Sequence, residues 1–102
     1  MSSPETKTWT FLTNHAQVLL CLAQDPDIRL RDVAERVGIT ERATQRILAE
    51  LVAAGYVTPS RVGRRNTYTV DREHAMRHTA QIGYEIGTLL EALTGSPPAA
   101  GA

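Results

Sequence analysis

The side chains best suited to a chemical role in this sequence are Arg42, Gln45 and Arg46, within the stretch GITERATQRIL. Residues at i, i+3 and i+4 share one face of a helix, so the three side chains are predicted to project together. A guanidinium group donates two hydrogen bonds to guanine O6 and N7, and a carboxamide pairs similarly with adenine N6 and N7. The spacing therefore predicts a helix face that reads base edges in the major groove, where the small Ala49 permits close approach.

A second basic group occurs downstream, in the stretch RVGRRN. Two β-prone runs, 56–62 and 66–70, flank its glycine and predict a hairpin. The predicted tip suits the phosphate backbone or an adjacent minor groove. The candidate DNA-binding residues of this wing are Arg61, Arg64, Arg65 and Asn66.

Two further residues complete the predicted DNA-binding set. Thr40 is predicted to cap the helix, where its hydroxyl and the positive helix end favour a phosphate. Arg31 stands near the start of the preceding short helix, where an arginine is a poor cap. The first backbone amides of that helix are therefore predicted to be available to another acceptor.

The distribution of charge supports a polyanionic partner, although the net charge of the chain is zero. Between Arg29 and Arg72 there are nine arginines and five acids. Outside that range there are six acids and only two cations, Lys7 and Arg77. A basic centre between acidic ends is a charge asymmetry typical of nucleic-acid binding.

The helices and strands that must position these residues are predicted from the spacing of apolar residues and from the residues that end helices. The pattern predicts helix, short extended piece, helix, tight turn, helix, hairpin, helix. Thr13 and Thr40 are predicted caps, and Gly38 and Gly55 are predicted stops. The predicted bounds are 13–24 for the first helix, an extended piece around Ile28 and Leu30, then 31–37, 40–54 and 72–93 for the later helices.

The stretch LRDVAERVGITERATQRILAELVAAGYVTPSRVGRRNTYTV resembles the winged helix-turn-helix of bacterial transcription regulators of the ArsR and MarR type. The resemblance covers about 13–70 and implies a DNA-binding homodimer, most simply a repressor that blocks a promoter. The sequence departs from that pattern at Ala43-Thr44, where the family has Thr-Val, and it lacks the Cys-rich metal site of ArsR sensors. The matching positions are Val33-Ala34, Val37-Gly38, Arg46, Leu48, Leu51, Gly55-Tyr56-Val57, Gly63-Arg64-Arg65 and Tyr68.

The predicted fold class is mainly α with a small β-hairpin wing, followed by a C-terminal dimerisation helix. The predicted divisions are an N-terminal arm (1–12), the DNA-binding domain (13–70), the C-terminal helix (71–94) and a disordered tail (95–102). Two glycines four residues apart inside that helix predict close packing against a second backbone. The alternative is packing onto the core of the same subunit. The predicted dimerisation residues are Ile82, Gly83, Ile86, Gly87, Leu89, Leu90 and Leu93.

Other functions have weaker support in the sequence. No nucleophile stands beside a histidine and no phosphate-binding glycine loop occurs, so we expect no enzyme and no cofactor. Cys21 is predicted to be a packed thiol, and a redox sensor is the alternative. The spacing of His74 and His78, with Asp71 before them, leaves metal binding open, although no metal site is predicted.

The predicted partners are double-stranded DNA and a second copy of the chain. No apolar run is long enough to span a membrane, and no signal peptide is recognisable, so we expect a cytoplasmic protein. The effector is unknown. A winged-helix docking module that does not read DNA is the competing hypothesis, with a metal- or redox-responsive regulator third.

Overall fold

The computed structural model describes residues 9–94, which form four helices and one two-stranded antiparallel sheet. The first eight residues of the predicted N-terminal arm and the predicted tail at 95–102 lie outside the described residues. No helix in the described part of the chain combines the length and the apolar character that crossing a bilayer requires. The elements are α1 (Asn14–Gln24), α2 (Leu30–Val37), α3 (Glu41–Ala53), β1 (Val57–Val62), β2 (Arg65–Val70) and α4 (Ile86–Thr94).

Threonine caps set the starts of α1 and α3, as the sequence predicts. The Oγ1 atom of Thr13 accepts a hydrogen bond from the amide of Ala16 at 3.1 Å, and that of Thr40 accepts from Ala43 at 3.0 Å. Gly38 closes α2 with φ +87°, in the left-handed region that glycine adopts without steric cost. The turn between α2 and α3 is therefore short, and it fixes the second helix against the first.

The predicted extended piece before α2 does not form a strand. Asp25 and Asp27 close a turn, in which the amide of Asp27 donates to Oδ1 of Asp25 at 3.1 Å. One backbone bond joins this segment to the sheet, from the amide of Tyr68 to the carbonyl of Pro26 at 3.0 Å. Ile28 is a buried residue of this connection, and Leu30 is the first residue of α2. Their apolar alternation therefore does not come from a strand.

The wing is a regular hairpin with a two-residue turn. Val57 pairs with Val70 at its base and Val62 with Arg65 at its tip. Gly63 has φ +63°, which the first position of this turn requires. Val57 and Tyr68 are buried while the outer half of the hairpin is exposed, so the wing projects from the core.

The core lies where all the elements meet. Its most completely buried side chains include Val18 and Leu22 of α1, Val33 of α2 and Leu90 of α4. Ile47 and Leu51 of α3 and Tyr68 of β2 join the same cluster. Three helices followed by a hairpin are a winged helix-turn-helix, and α4 follows them, so the predicted mainly α fold with a hairpin wing and a C-terminal helix is confirmed.

The predicted helix 72–93 is too long, because only Ile86–Thr94 is helical. Residues 71–85 form turns. The amide of Met76 donates to the carbonyl of Tyr84, and the amide of Ile86, the first residue of α4, donates to the carbonyl of His74. Gly83 has φ +100°, outside the helical region. Few apolar side chains occur in this segment, so a longer helix would have had little to bury.

Candidate nucleic-acid interface

The outward face of α3 carries the three side chains on which the prediction rests. Arg42, Gln45 and Arg46 are exposed, as is Ala49, while the opposite face buries Thr44, Ile47 and Leu51. The structure thus brings the predicted base-reading side chains together on one exposed helix face.

The N-terminal end of α3 is stabilised by threonine at two positions. The hydroxyl of the buried Thr44 donates to the carbonyl of Thr40 at 3.0 Å. The same carbonyl also accepts the amide of Thr44 at 3.0 Å. The departure from Thr-Val at 43–44 therefore leaves no unpaired buried group, and Thr40 Oγ1 keeps its own proton for an external acceptor.

On one flank, the α3 face continues into the wing. A groove of about 400 Å³ separates the two elements, with Gln45 and Ala49 on the helix side and Asn66 on the hairpin side. Leu48 and Tyr68 form part of its apolar floor. Gln45 and Asn66 therefore face one shared groove although 21 positions separate them in sequence.

Beyond Asn66 the surface becomes cationic. A cleft of about 380 Å³ between the start of α2 and the wing is lined by three arginines, Arg29, Arg64 and Arg65, and by one acid, Asp27. One Nη atom of Arg65 donates to the carbonyl of Asp27 at 3.3 Å, which ties the wing tip to the turn before α2. Arg64 makes no ion pair with any acid in the described range 9–94.

Helix α2 begins at Leu30, one residue before the predicted start at 31. Arg29 is the N-cap, and among the described residues no side chain caps the helix. Arg31 lies on the first turn, exposed but outside the cleft, and Arg61 is exposed opposite Asn66 in the hairpin. Arg29 was not among the predicted DNA-binding residues; the charge count included it, but the prediction placed it in the extended piece before α2.

On the other flank, α3 meets the beginning of α1 through Glu50. His15 Nε2 lies 2.6 Å from Glu50 Oε1, and Arg46 Nη1 lies 3.8 Å from Oε2. The hydrogen bond with His15, and to a smaller extent the charge of Arg46, hold the pKa of Glu50 below its ordinary value. The sequence alone gave no signal for this contact, because His15 and Glu50 stand 35 positions apart.

A larger cleft, of about 750 Å³, adjoins the Glu50 contact. It lies between α1, the end of α3 and the segment before α4, and its walls are mostly apolar. They include Ala16, Leu19, Leu51 and Ile86, while Arg77 contributes a cationic group.

His74 and His78, for which the sequence leaves metal binding open, make contacts with other parts of the chain. His74 stacks on Tyr56, with ring centroids 4.1 Å apart, and the ring nitrogen of His78 accepts the amide of Ala80. Neither histidine is helical, so the i, i+4 argument does not apply. Within residues 9–94 no group of three or more His, Cys, Asp or Glu side chains could hold a metal ion.

Cys21 is a packed thiol, as predicted. It is 7% exposed within the core cluster, and burial raises its pKa, only partly offset by Arg36. Both features disfavour the thiolate that redox sensing requires.

The predicted dimerisation residues divide into three groups. Ile82 and Gly83 precede α4, so the prediction that all seven residues lie on one helix is wrong. Ile86 and Leu90 pack against the core of the same chain, and Gly87 lies against the backbone of Arg72. Leu89 is half-buried, and Leu93 is exposed.

Comparison with known families identifies one similarity. Residues 13–58 match the model of a family described as winged helix-turn-helix DNA-binding. The matched range begins at the cap of α1 and ends at the second residue of β1. Comparison with curated proteins gives no significant match. The match supports a DNA-binding transcription regulator and covers α3, but it stops before the wing tip.

Proposed function

We propose that this protein is a sequence-specific, dimeric transcriptional repressor, similar to regulators of the ArsR and MarR type. In this proposal α3 enters the major groove, where Arg42, Gln45 and Arg46 contact base edges. Thr40 at the helix start contacts a phosphate, and the wing contacts flanking DNA. The protein is expected to act by occupying a promoter rather than by catalysis.

The observation that carries the proposal is the continuity of the surface from α3 to the wing. Gln45 and Asn66 face one groove, and Asn66 with Arg64 and Arg65 faces the cationic cleft beside it. Side chains proposed to read bases thus lie beside side chains proposed to contact phosphates. DNA recognition uses both kinds of contact, the first for specificity and the second for positioning. A docking module would not require guanidinium and carboxamide groups on this face.

Dimerisation is proposed from the apolar side chains that the fold leaves exposed near α4. Ile82, Tyr84 and Leu93 are 65%, 63% and 43% exposed, and Leu89 is half-buried. A second copy covering them would present two α3 helices to half-sites about 34–36 Å apart on a pseudo-palindrome. Sedimentation of the wild type and of Leu93→Asp tests this arrangement. A monomer at micromolar concentration in the wild type would refute it.

The experiment that tests DNA reading is selection of bound duplexes from a random library at physiological salt. We expect a palindromic consensus in which guanine and adenine positions are enriched, because Arg and Gln are the side chains on α3. Failure to enrich any sequence would refute the reading function and favour the docking hypothesis. The salt concentration must be stated with each affinity, since phosphate contacts dominate its value.

A further inference from the structure

The carboxylate of Glu50 is shared between two helices, one oxygen to each. Its Oε1 atom lies 2.6 Å from His15 Nε2 on α1, and its Oε2 atom lies 3.8 Å from Arg46 Nη1 on α3. All three side chains are between 47% and 66% exposed. The contact thus reaches from the first turn of α1 to the face of α3 proposed to read DNA.

A negative charge on this face needs an explanation, because it repels DNA phosphates. The hydrogen bond with His15 favours the ionised carboxylate, so the group does not lose its charge by protonation near neutral pH. If α3 lies against DNA as proposed, the charge of Glu50 is expected to lower affinity for every sequence. A residue with that cost is expected to contribute something other than affinity.

The position of Glu50 relative to Arg46 indicates what it contributes. A long arginine side chain on a helix facing DNA can reach a phosphate or a base edge, and a phosphate contact carries no sequence information. An acid one turn further along the helix attracts the guanidinium, here across 3.8 Å and without a direct hydrogen bond. The guanidinium donors therefore still suit the O6 and N7 atoms of guanine.

We propose that Glu50 is a positioning residue for sequence specificity: it holds the Arg46 guanidinium toward base edges and away from phosphates, and His15 fixes Glu50 in turn. The inference rests on the proposed function, because it requires α3 to lie in the major groove. It assigns to Glu50 a trade of general affinity for discrimination between sequences.

This trade makes a prediction that a merely structural role does not make. Glu50→Gln removes the charge and keeps the side-chain length, so binding to an arbitrary duplex should become tighter. Discrimination at the one base pair read by Arg46 should become weaker, by about two- to fivefold, the range of an exposed ion pair. A structural defect would instead weaken binding to all sequences.

The experiment measures dissociation constants for three duplexes: the selected consensus, the consensus with single base-pair changes, and an unrelated sequence. Wild type, Glu50→Gln, Arg46→Ala and the double variant are compared, with circular dichroism to verify folding. In the Arg46→Ala background, Glu50→Gln should cause no further loss of discrimination. His15→Ala should weaken discrimination in the same direction as Glu50→Gln.

Glu41→Gln is the matched control, since Glu41 is an exposed acid in the first turn of the same helix and makes no ion pair with Arg46. It should tighten binding to arbitrary DNA and leave discrimination unchanged. Unchanged discrimination in Glu50→Gln, while Arg42→Ala still loses it, would overturn the role of Glu50 alone. A wild type without any sequence preference would overturn both this inference and the proposed function.

Discussion

The amide nitrogen of Gly87 lies 2.7 Å from the carbonyl oxygen of Arg72 and donates a hydrogen bond to it. A Cβ atom at Gly87 would lie 2.6 Å from that oxygen and 2.8 Å from the Cβ of Arg72. The close backbone approach expected for this glycine therefore occurs within one chain, where it holds the start of α4 against the end of the wing. This contact is of the kind that the alternative, packing onto the same subunit, describes.

Gly87→Ala is expected to destabilise the protein by about 1–3 kcal/mol, because the new methyl group forces Arg72 and α4 apart. The same change at an unhindered helical position would stabilise by about 1 kcal/mol. Thermal unfolding followed by circular dichroism measures the difference. Thr88→Ala, at the exposed neighbouring position, is the control and should raise stability slightly. Equal stabilisation by both changes would contradict the close approach.

Arg42→Ala and Gln45→Ala are each expected to relax base preference by about 1–3 kcal/mol at one position of the binding site, because each removes a base-edge contact. Competition binding with single base-pair variants measures the effect. Arg72→Ala removes an exposed arginine outside α3 and the wing, and it should leave the preference intact. Unchanged operator affinity in Arg42→Ala together with Arg46→Ala would exclude α3 as the reading helix.

Arg64→Ala is expected to weaken binding to all sequences alike, because a wing guanidinium contacts phosphate rather than a base edge. The slope of log affinity against log salt should become shallower by about one unit. Titrations of one consensus and one unrelated duplex over a range of salt concentrations provide both values. A loss confined to the consensus would instead assign Arg64 to base reading.

Thr44→Val is expected to change stability by less than about 1 kcal/mol, because the carbonyl of Thr40 keeps its bond from the Thr44 amide when the hydroxyl is lost. Thr40→Ala should cost about 1 kcal/mol through the lost cap. Chemical denaturation distinguishes the two. A large loss in Thr44→Val would show that the hydroxyl itself stabilises the helix start.

The stability contributed by Glu50 should depend on pH in one direction. Because its pKa is lowered in the folded state, its contribution is present above the ordinary carboxyl pKa and disappears as pH falls through the folded value. The difference in melting temperature between wild type and Glu50→Gln should therefore shrink between about pH 5 and pH 3. A difference that grows on acidification would contradict the assigned contacts.

Local signals sufficed for the helix-turn-helix and the wing. Thr13, Thr40, Gly38 and Gly63 each act through neighbours within a few positions, so the caps, the stop and the turn could be predicted. The same holds for the apolar and polar faces of α3, which follow from helical period alone.

Contacts between distant positions could not be predicted. The bond between His15 and Glu50 and the proximity of Gln45 to Asn66 depend on how α1 and the wing pack beside α3. The extent of α4 was mispredicted for a related reason. Ile82 has the spacing of a helical residue, yet the chain turns before α4, and the amides of Ile86 and Gly87 donate to the carbonyls of His74 and Arg72.

The two-residue turn at Gly63 and Arg64 restricts how the wing can vary in length. Side chains alternate between the faces of a strand, and here Tyr68 is inward while Thr69 is exposed. Adding one residue to β2 alone, between the tip and Tyr68, would shift its pairing with β1. Adding one residue to each strand keeps the pairing but reverses the faces of the residues nearer the tip, whereas adding two to each strand preserves both. Paralogues or designed variants with longer wings are therefore expected to differ by matched, even-numbered insertions, which extend the reach along DNA without disturbing the core.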